Sequence, residues 1–228
     1  MLRKVRAFYN PWFIVPFLLW MMAGAILLII YDRDILFRTV NLHHTSFLDS
    51  AMLFLTNFGD AVGIVPILLL LLVFQSCRNW WYILAAIICN GVPALLVQVL
   101  KWIFDAPRPF QYYKADANWI HFNPAWGDHL YDHSFPSGHS AGVFSICCFL
   151  SMILPKGWGI AGIGLFIFGT LVAYSRMYLA AHFYLDIYVG SILGTVTTIF
   201  CFALMRHWSK RSFQITARTQ ERHHPPLT

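Results

Sequence analysis

The chain has 228 residues, of which 58% are apolar and 11% are charged, and its formal net charge is +6. Soluble domains average about a quarter charged residues, whereas this chain contains a single glutamate, Glu221. So few charges cannot cover a water-facing surface, and so many apolar residues exclude a disordered chain. The basic residues are divided among the chain ends and short loops, so a nucleic-acid partner is not expected. The composition predicts an all-α integral membrane protein whose partners include membrane lipids.

Six apolar stretches are long enough, or nearly so, to cross a bilayer, which takes about 20 helical residues. They cover approximately residues 13–31, 52–74, 80–100, 139–154, 158–174 and 183–205. We therefore predict a domain of six transmembrane helices over residues 1–205 and a basic cytoplasmic tail over residues 206–228, which is expected to be flexible. The second stretch is interrupted between Asn57 and Asp60, so a short interfacial helix is expected before its continuous part.

The first stretch follows a basic leader and contains Ala23-Gly24-Ala25, a small-residue pattern like that of a signal-peptide cleavage site. The apolar run continues to Ile30, which would place that cleavage site in the middle of the span. We therefore predict an uncleaved first helix.

Lysine and arginine are unevenly divided between the two sides that six spans create. Ten lie in the N-terminal segment, the second and fourth loops and the C-terminal tail, and six lie in the other loops. Because the cytoplasmic side carries the excess of Lys and Arg, both termini are predicted to be cytoplasmic. The other loops then face the periplasm or exterior, and the compact chain is typical of a protein of the bacterial inner membrane.

The outer loop between the third and fourth stretches is the only long one and is rich in aromatic residues. They are Trp102, Phe104, Phe110, Tyr112, Tyr113, Trp119, Phe122, Trp126, Tyr131 and Phe135. Aromatic side chains at this density favour the level of the lipid headgroups. Two interpretations stay open: an interfacial anchor, and a lid over a lipid-binding mouth.

Three cations stand at the ends of predicted spans or just beyond them, although charge is costly at membrane depth. Lys101 ends the third stretch, Arg108 follows between two prolines, and Arg176 ends the fifth stretch. With six spans, all three fall on the outer side. Each cation alone could simply extend its charge to the interface, but three on one side predict a binding site for an anion.

The segment Pro136-Ser137-Gly138-His139 begins the fourth stretch on the same side. Ser137 is a favourable N-cap residue, and Gly138 would let an anion approach the free backbone N–H groups of the first helical turn. Arginine side chains suit phosphoryl oxygens in particular, because their forked donors match two oxygens at once. The helix start and the cations together predict a phosphate site.

His182 and Asp186 are four residues apart at the start of the sixth stretch, so a helix would place them on one face. A carboxylate on one ring nitrogen fixes the tautomer and leaves the other nitrogen free to attack. His139, on the same side, could protonate the leaving oxygen. A hydrogen-bonded capping pair is the alternative explanation of the spacing. The cations can stabilise charge in place of a metal ion, so neither a metal nor a cofactor is expected.

These residues resemble the three motifs of the type 2 phosphatidic acid phosphatase superfamily, the lipid phosphate phosphatases, whose active site is shared by vanadium haloperoxidases. The motifs are K-x6-R-P, P-S-G-H and S-R-x5-H-x3-D. In this sequence they correspond to Lys101 with Arg108-Pro109, to Pro136 through His139, and to Ser175-Arg176 with His182 and Asp186. The motifs cover residues 101–186, and the layout of spans extends the resemblance to about residue 205.

The resemblance implies a role for each matching residue. His182 would be the nucleophile that forms a phosphohistidine, and Asp186 would orient and polarise it. His139 would protonate the leaving group and later activate water. The phosphoryl oxygens would be held by Lys101, Arg108, Ser137, Gly138 and Arg176.

The sequence thus predicts a metal-independent membrane phosphatase that admits its lipid sideways through a groove between spans. Candidate substrates are undecaprenyl diphosphate, phosphatidic acid, phosphatidylglycerol phosphate and lipid A phosphate, and the sequence does not choose among them. Two alternatives stay open: a phosphotransferase that passes the phosphoryl group to another lipid, and a transporter that only binds an anionic lipid. The oligomeric state is not indicated.

Other polar residues on the outer side have weaker claims to function. His43 and His44 could line the substrate mouth near Asp49, although an ordinary interfacial loop accounts for them. Asp105 could pair with a nearby cation. Three further histidines lie in the aromatic loop: His121, His129 and His133.

Overall fold

The structure is a computed structural model that describes residues 9–73, 80–122 and 132–223, and these ranges contain helices and no β-strand. The α-helices described are α1 (Pro11–Ile30), α2 (Arg33–Asn41), α3 (Ser46–Thr56), α4 (Ala61–Leu71), α5 (Trp80–Phe104), α6 (Pro109–Tyr113), α7 (Gly138–Ile153), α8 (Ala161–Tyr178) and α9 (Tyr184–His223). Short 3-10 helices occupy Asn57–Gly59, Lys114–Trp119 and Lys156–Trp158. The all-α prediction is confirmed for this part of the chain.

Four helical segments are long and apolar enough to span a bilayer: α1, α5 with α6, α8 and the first 25 residues of α9. Helices α3 and α4 form a pair bent by 61°, which makes a fifth span if the two are counted as one. The remaining predicted stretch is α7, whose 16 residues fall short of the about 20 that a span requires. The described residues therefore support an integral membrane protein with four or five spans, and the number six is not confirmed.

The break between α3 and α4 falls at the polar residues that interrupt the second stretch. Asp60 has an extended backbone, and its carboxylate accepts a hydrogen bond from the Ala61 N–H at 2.6 Å. A side chain that satisfies a free N–H group starts a new helix. Helix α4 therefore begins at Ala61 in a new direction, and α3 takes the place of the short helix that the sequence predicts there.

Helix α7 is the centre of the bundle and packs against α5, α8 and α9. Its residues are buried on nearly every side, as is typical of a helix that is apolar all round. Because α7 is surrounded by other helices rather than by lipid, its length does not have to match the thickness of a bilayer.

Two glycines of α9 let its backbone lie directly against that of α7. A Cβ on Gly190 would lie 2.5 Å from the carbonyl oxygen of Ser137, and a Cβ on Gly194 would clash with the carbonyl oxygen of Ala141. Small residues allow helix backbones to approach closely in membrane proteins. This contact fixes the start of α7 beside the start of α9, where several predicted site residues lie.

Helix α1 packs on α9 through the residues that resemble a cleavage site. Gly24 is buried, and a Cβ there would lie 2.5 Å from the ring of Tyr188. The Tyr188 hydroxyl also donates to the carbonyl oxygen of Met21 at 2.9 Å. The small residue in this segment therefore has a packing role in the bundle.

Helix α9 has 40 residues and continues to His223. Its backbone is therefore helical through most of the region predicted to be a tail. The domain limit at residue 205 and the flexibility of the tail stay predictions.

Substituting Gly194→Ala should lower the free energy of unfolding by about 1–3 kcal/mol, the usual cost of overpacking a tight contact. The control is Gly164→Ala in α8, because a Cβ at Gly164 meets no described atom within 4 Å. Thermal unfolding in detergent should show a lower midpoint for Gly194→Ala alone. Equal midpoints for the two variants would contradict the close packing of α7 and α9.

Candidate active site

Three segments that are far apart in the sequence meet at one end of the bundle. They are the end of α5 with the loop after it, the first turn of α7, and the turn from α8 to α9. The positive charges of three side chains act electrostatically on both His139 and His182. These side chains are Lys101, Arg108 and Arg176. The structure thus brings the predicted cations and both predicted histidines together.

Helix α8 ends in a turn that places His182 over Arg176. Ala180 has a positive φ of 54°, the left-handed conformation that commonly follows a helix. The N–H groups of Ala181 and His182 both donate to the carbonyl oxygen of Arg176, at 3.0 and 3.2 Å. The spacing S-R-x5-H therefore corresponds to a helix-ending turn that holds the cation and the imidazole together.

The His182 ring lies between a carboxylate and a guanidinium and is 1% exposed. Its Nδ1 is 3.4 Å from Asp186 Oδ2, and its Nε2 is 3.5 Å from Nη1 of Arg108. Since a guanidinium can only donate, Nε2 is the nitrogen that carries the lone pair. Burial, followed by the neighbouring positive charges, lowers the pKa of His182 well below its ordinary value. The imidazole is therefore neutral near pH 7.

Asp186 is held by several donors. Its Oδ2 accepts hydrogen bonds from the Phe183 N–H at 3.0 Å and from the Ser134 hydroxyl at 2.5 Å. Its backbone carbonyl accepts a hydrogen bond from the Ser137 N–H at 3.0 Å. These bonds join the first turn of α9 to the start of α7. Sequence reasoning does not find Ser134, because a single serine in a loop gives no signal of its own.

Arg108 is held by backbone carbonyl groups and is 8% exposed. Its Nε donates to the carbonyl oxygen of Asp132 at 2.8 Å, and its Nη1 donates to that of Ala181 at 3.0 Å. The guanidinium therefore links the segment before α7 to the turn between α8 and α9. Pro109 starts α6 directly after Arg108 and holds the backbone at this point.

Arg176 is anchored by the broken span. Its Nη1 donates to Thr56 Oγ1 at 2.6 Å, whereas its Nε has no partner within the part of the protein that is described. A buried unpaired donor costs about 1–3 kcal/mol, which a phosphoryl oxygen would offset by accepting a hydrogen bond. Sequence reasoning does not single out Thr56, whose importance comes from a contact 120 residues away in the chain.

The same break packs against His139. A Cβ on Gly59 would lie 2.8 Å from the Cβ of His139 and 2.9 Å from its carbonyl oxygen. The 3-10 turn at Asn57–Gly59 therefore presses on the first turn of α7, and a glycine is needed there. Irregular backbone at membrane depth is tolerated where it is covered by protein, and here it forms one wall of the site.

The first turn of α7 is open at its start. Ser137 is the N-cap, as predicted, and its Oγ accepts a hydrogen bond from the Ser140 N–H at 3.4 Å. Among the described residues, a Cβ on Gly138 would meet only Val97, at 3.8 Å. Packing therefore does not require a glycine here. The missing side chain instead leaves the backbone N–H groups accessible to an anion.

A second polar cluster joins the outer loops. Asp49 accepts hydrogen bonds from the Tyr178 hydroxyl at 2.5 Å and from His121 Nε2 at 2.8 Å. The ring of His44 stacks on that of His121 with 3.6 Å between centroids. His43 is exposed and contacts a backbone carbonyl group of α2. These contacts connect α3, the aromatic loop and the end of α8.

The described part of the aromatic loop packs against the turn that carries His182. Three aromatic rings of the loop contact Phe37 of α2 or Phe183, which follows His182. These loop rings belong to Tyr112, Tyr113 and Trp119. His133 pairs with Asp105 at 3.0 Å, and both side chains are largely exposed. The predicted aromatic and histidine positions Trp126, His129 and Tyr131 lie outside the described residues. The choice between an anchor and a lid stays open.

The arrangement suits nucleophilic attack on a phosphate group. A neutral imidazole is backed by a carboxylate, and the guanidinium of Arg108 faces the nitrogen that would attack, with the charges of Arg176 and Lys101 acting on the same ring. A second histidine lies within reach of the same charges. Within the described ranges, no three His, Cys, Asp or Glu side chains are grouped as a metal site.

Comparison with known families places the chain in the class that the fold and the site indicate. The model of the PAP2 superfamily matches residues 78–210, a range that contains every predicted site residue. The protein belongs to the PAP2 superfamily, and the resemblance predicted from the three motifs is confirmed.

Two curated relatives cover most of the chain. The chain is 31% identical to an undecaprenyl-diphosphatase of Sulfolobus acidocaldarius over 162 residues. This alignment covers 70% of this chain and 72% of the relative. The chain is 32% identical over 162 residues to the undecaprenyl-diphosphatase BcrC of Bacillus subtilis, with coverage of 70% and 76%.

Two crystal structures share the fold. Aquifex aeolicus LpxE superimposes with a TM-score of 0.63 and 27% identity over 74% of this chain and 93% of that protein. A PAP2-type phosphatidylglycerolphosphate phosphatase from Bacillus subtilis superimposes with a TM-score of 0.57 and 24% identity, covering 86% and 96%. The second likeness concerns the fold alone.

Substituting Thr56→Val should weaken the binding of inorganic phosphate, because Arg176 loses the hydroxyl that orients it. A hydrogen bond to a charged group contributes about 1.5–3 kcal/mol, so the expected loss is roughly 10- to 100-fold. Thr198→Val is the control: its hydroxyl donates to the Cys89 carbonyl at 2.9 Å, away from the site. Phosphate-induced stabilisation against heat measures the affinity. Equal affinities in the two variants would show that Thr56 does not position Arg176.

Proposed function

We propose that the protein is a lipid phosphatase that hydrolyses undecaprenyl diphosphate through a phosphohistidine on His182. The observation that carries the proposal is the orientation of the His182 ring. Nδ1 faces Asp186, and Nε2 faces the cationic side of the site. Both curated relatives described above are undecaprenyl-diphosphatases, which favours this lipid over the other candidates.

In the first half of the reaction, the lone pair of His182 Nε2 attacks the terminal phosphorus. The bond between that phosphorus and the bridging oxygen breaks, and the electron pair stays with the oxygen of the lipid monophosphate. Burial and the neighbouring cations lower the pKa of His139 in the free protein, whereas the negative charge of a bound diphosphate offsets those cations and favours the protonated ring. The protonated His139 then donates a proton to this oxygen. Asp186 stabilises the positive charge that develops on the His182 ring.

The phosphoryl oxygens carry increasing charge while the bonds exchange. Lys101 and the two arginines hold them, together with the N–H groups at the start of α7, where Ser137 and Gly138 lie. These donors are already in place before the reaction, so little reorganisation is needed. The proposal assigns the stabilisation of charge to side chains, and the reaction is expected to need no metal ion.

In the second half, water attacks the phosphohistidine. His139 has lost its proton in the first half and now accepts one from the water as a general base. The bond from phosphorus to Nε2 breaks, the electron pair returns to His182, and inorganic phosphate is released. His182 is then neutral and His139 is protonated, as they were when the substrate bound, and the cycle is complete.

The membrane supplies the substrate from the side. The lipid chain stays in the bilayer while the diphosphate reaches the cations at the end of the bundle. The orientation proposed from the charge count places both termini in the cytoplasm and the site at the outer face of a bacterial inner membrane. An uneven distribution of Lys and Arg supports this orientation.

Purified wild type should release phosphate from undecaprenyl diphosphate in detergent, and EDTA should not change the rate. His182→Ala should lower the rate by at least roughly 10³-fold, because no other group can form the intermediate. The matched control is His207→Ala, which should remain active. His207 is an exposed histidine of α9, 25 residues after His182 in the sequence. Phosphatidic acid, phosphatidylglycerol phosphate and lipid A serve as competing substrates.

Each other outcome identifies the part of the proposal that fails. Activity that persists in His182→Ala contradicts the nucleophile, and activity lost in EDTA contradicts metal independence. Release from a different lipid alone contradicts the substrate. Loss of the terminal phosphate only when an acceptor lipid is present would indicate a phosphotransferase.

A further inference from the structure

The carboxylate behind the nucleophile has a closer partner than the nucleophile itself. Asp186 Oδ2 is 2.5 Å from the Ser134 hydroxyl and 3.4 Å from His182 Nδ1. The Ser134 oxygen is also 3.4 Å from His182 Nδ1. A serine outside the three motifs therefore completes a triangle with the two motif residues.

The donors and acceptors of this triangle can be assigned. An ionised carboxylate only accepts, so the Ser134 hydroxyl donates its single proton to Asp186 Oδ2. The serine oxygen keeps lone pairs that face Nδ1 of His182. The distance of 3.4 Å between Nδ1 and Asp186 Oδ2 exceeds the usual range of N–H···O bonds, about 2.7–3.2 Å. The Ser134 oxygen lies at the same 3.4 Å from Nδ1, so neither oxygen alone is a tight restraint on the ring, and the two share the Nδ1 proton.

We infer that Ser134 is a positioning residue that, together with Asp186, keeps the proton of His182 on Nδ1 and the lone pair on Nε2. The inference deepens the proposed function and rests on the role of His182 in it. A neutral imidazole has two tautomers, and only the one with a bare Nε2 can attack phosphorus. The serine oxygen and the carboxylate face Nδ1–H together and so favour that tautomer.

The backbone of Ser134 ties this role to the cations. Its N–H donates to the carbonyl oxygen of Ala106 at 2.8 Å, within the loop that leads to Arg108. Arg108 in turn donates to the carbonyl oxygen of Asp132 at 2.8 Å. The segment 132–134 thus connects the phosphate-binding loop to the nucleophile, and Ser134 is only 1% exposed. Water has little access to replace its hydroxyl.

The interaction between Nδ1–H of His182 and the Ser134 oxygen should strengthen during the reaction. When the bond from Nε2 to phosphorus forms, the ring becomes positively charged and its Nδ1–H becomes a stronger donor. The serine oxygen then accepts from Nδ1 while its own proton remains on the carboxylate. An interaction that strengthens in the transition state lowers kcat and kcat/KM equally when it is removed, with KM little changed.

The test compares Ser134→Ala with Ser151→Ala, which removes another buried serine hydroxyl in the last turn of α7, bonded to the Cys148 carbonyl. Ser134→Ala should lower kcat by about 10- to 100-fold, the loss expected when a hydrogen bond to a charged ring is removed. KM should stay within about threefold, and Ser151→Ala should behave as wild type. Ser134→Cys keeps the side-chain size and a weak donor, and should lie between wild type and Ser134→Ala.

A double substitution separates positioning from a general loss of structure. If Ser134 acts through Asp186, then Ser134→Ala should have little further effect in an Asp186→Asn background. Full additivity of the two losses would overturn the inference, as would a kcat for Ser134→Ala and Ser134→Cys equal to that of Ser151→Ala.

His182→Ala, measured alongside, separates a failure of the inference about Ser134 from a failure of the proposed function. If it is inactive while Ser134→Ala is unaffected, the inference alone fails. If it keeps wild-type activity, or if wild type hydrolyses none of the lipids, the proposed function fails and the inference falls with it.

Discussion

Three positive charges lie around one nearly buried imidazole at the end of a membrane-embedded bundle. Taking cations out of water is costly, and each of the two arginines has a defined support. Backbone carbonyl groups hold Arg108, and Thr56 holds Arg176. Burial, followed by these positive charges, lowers the pKa of His182. The like charges also repel one another, and an anion in their midst would relieve the repulsion, so the arrangement suits a phosphate group.

The architecture provides these supports from distant parts of the chain. Helix α7 sits at the centre because glycines of α9 let the two backbones touch. That contact brings the N-cap Ser137 beside the first turn of α9, where its N–H binds the carbonyl oxygen of Asp186. The broken pair α3 and α4 closes the other side with Thr56 and Gly59. A continuous helix there would present neither the Thr56 hydroxyl nor the turn at Gly59 in the same way.

The sequence predicts the parts of this arrangement that follow from spacing and composition. Apolar length locates most of the helices, and the motif residues from Lys101 to Asp186 are found because chemistry limits which residues can bind and attack phosphate. The helix start at Ser137 follows from its capping chemistry. The break at Asp60 is visible as a polar interruption of the second stretch.

Other features depend on tertiary contacts that no local pattern carries. The number of spans is not confirmed because α7 is apolar for burial within the protein and is shorter than a span. Thr56 and Ser134 each matter through one hydrogen bond to a residue far away in the sequence. Serine and threonine are common in loops and helices, so neither position stands out until the fold brings its partner close.

The central claim is the covalent intermediate on His182, and trapping it is the most direct test. With a diphosphate substrate, the leaving lipid monophosphate needs little help from an acid, whereas attack by water depends on a base. His139→Ala should therefore accumulate label from undecaprenyl diphosphate that carries ³²P in its terminal phosphate. The account predicts an acid-labile, base-stable phosphohistidine that maps to His182 and is absent from the His139→Ala, His182→Ala double variant. Label on another residue, or label that persists in the double variant, would contradict it.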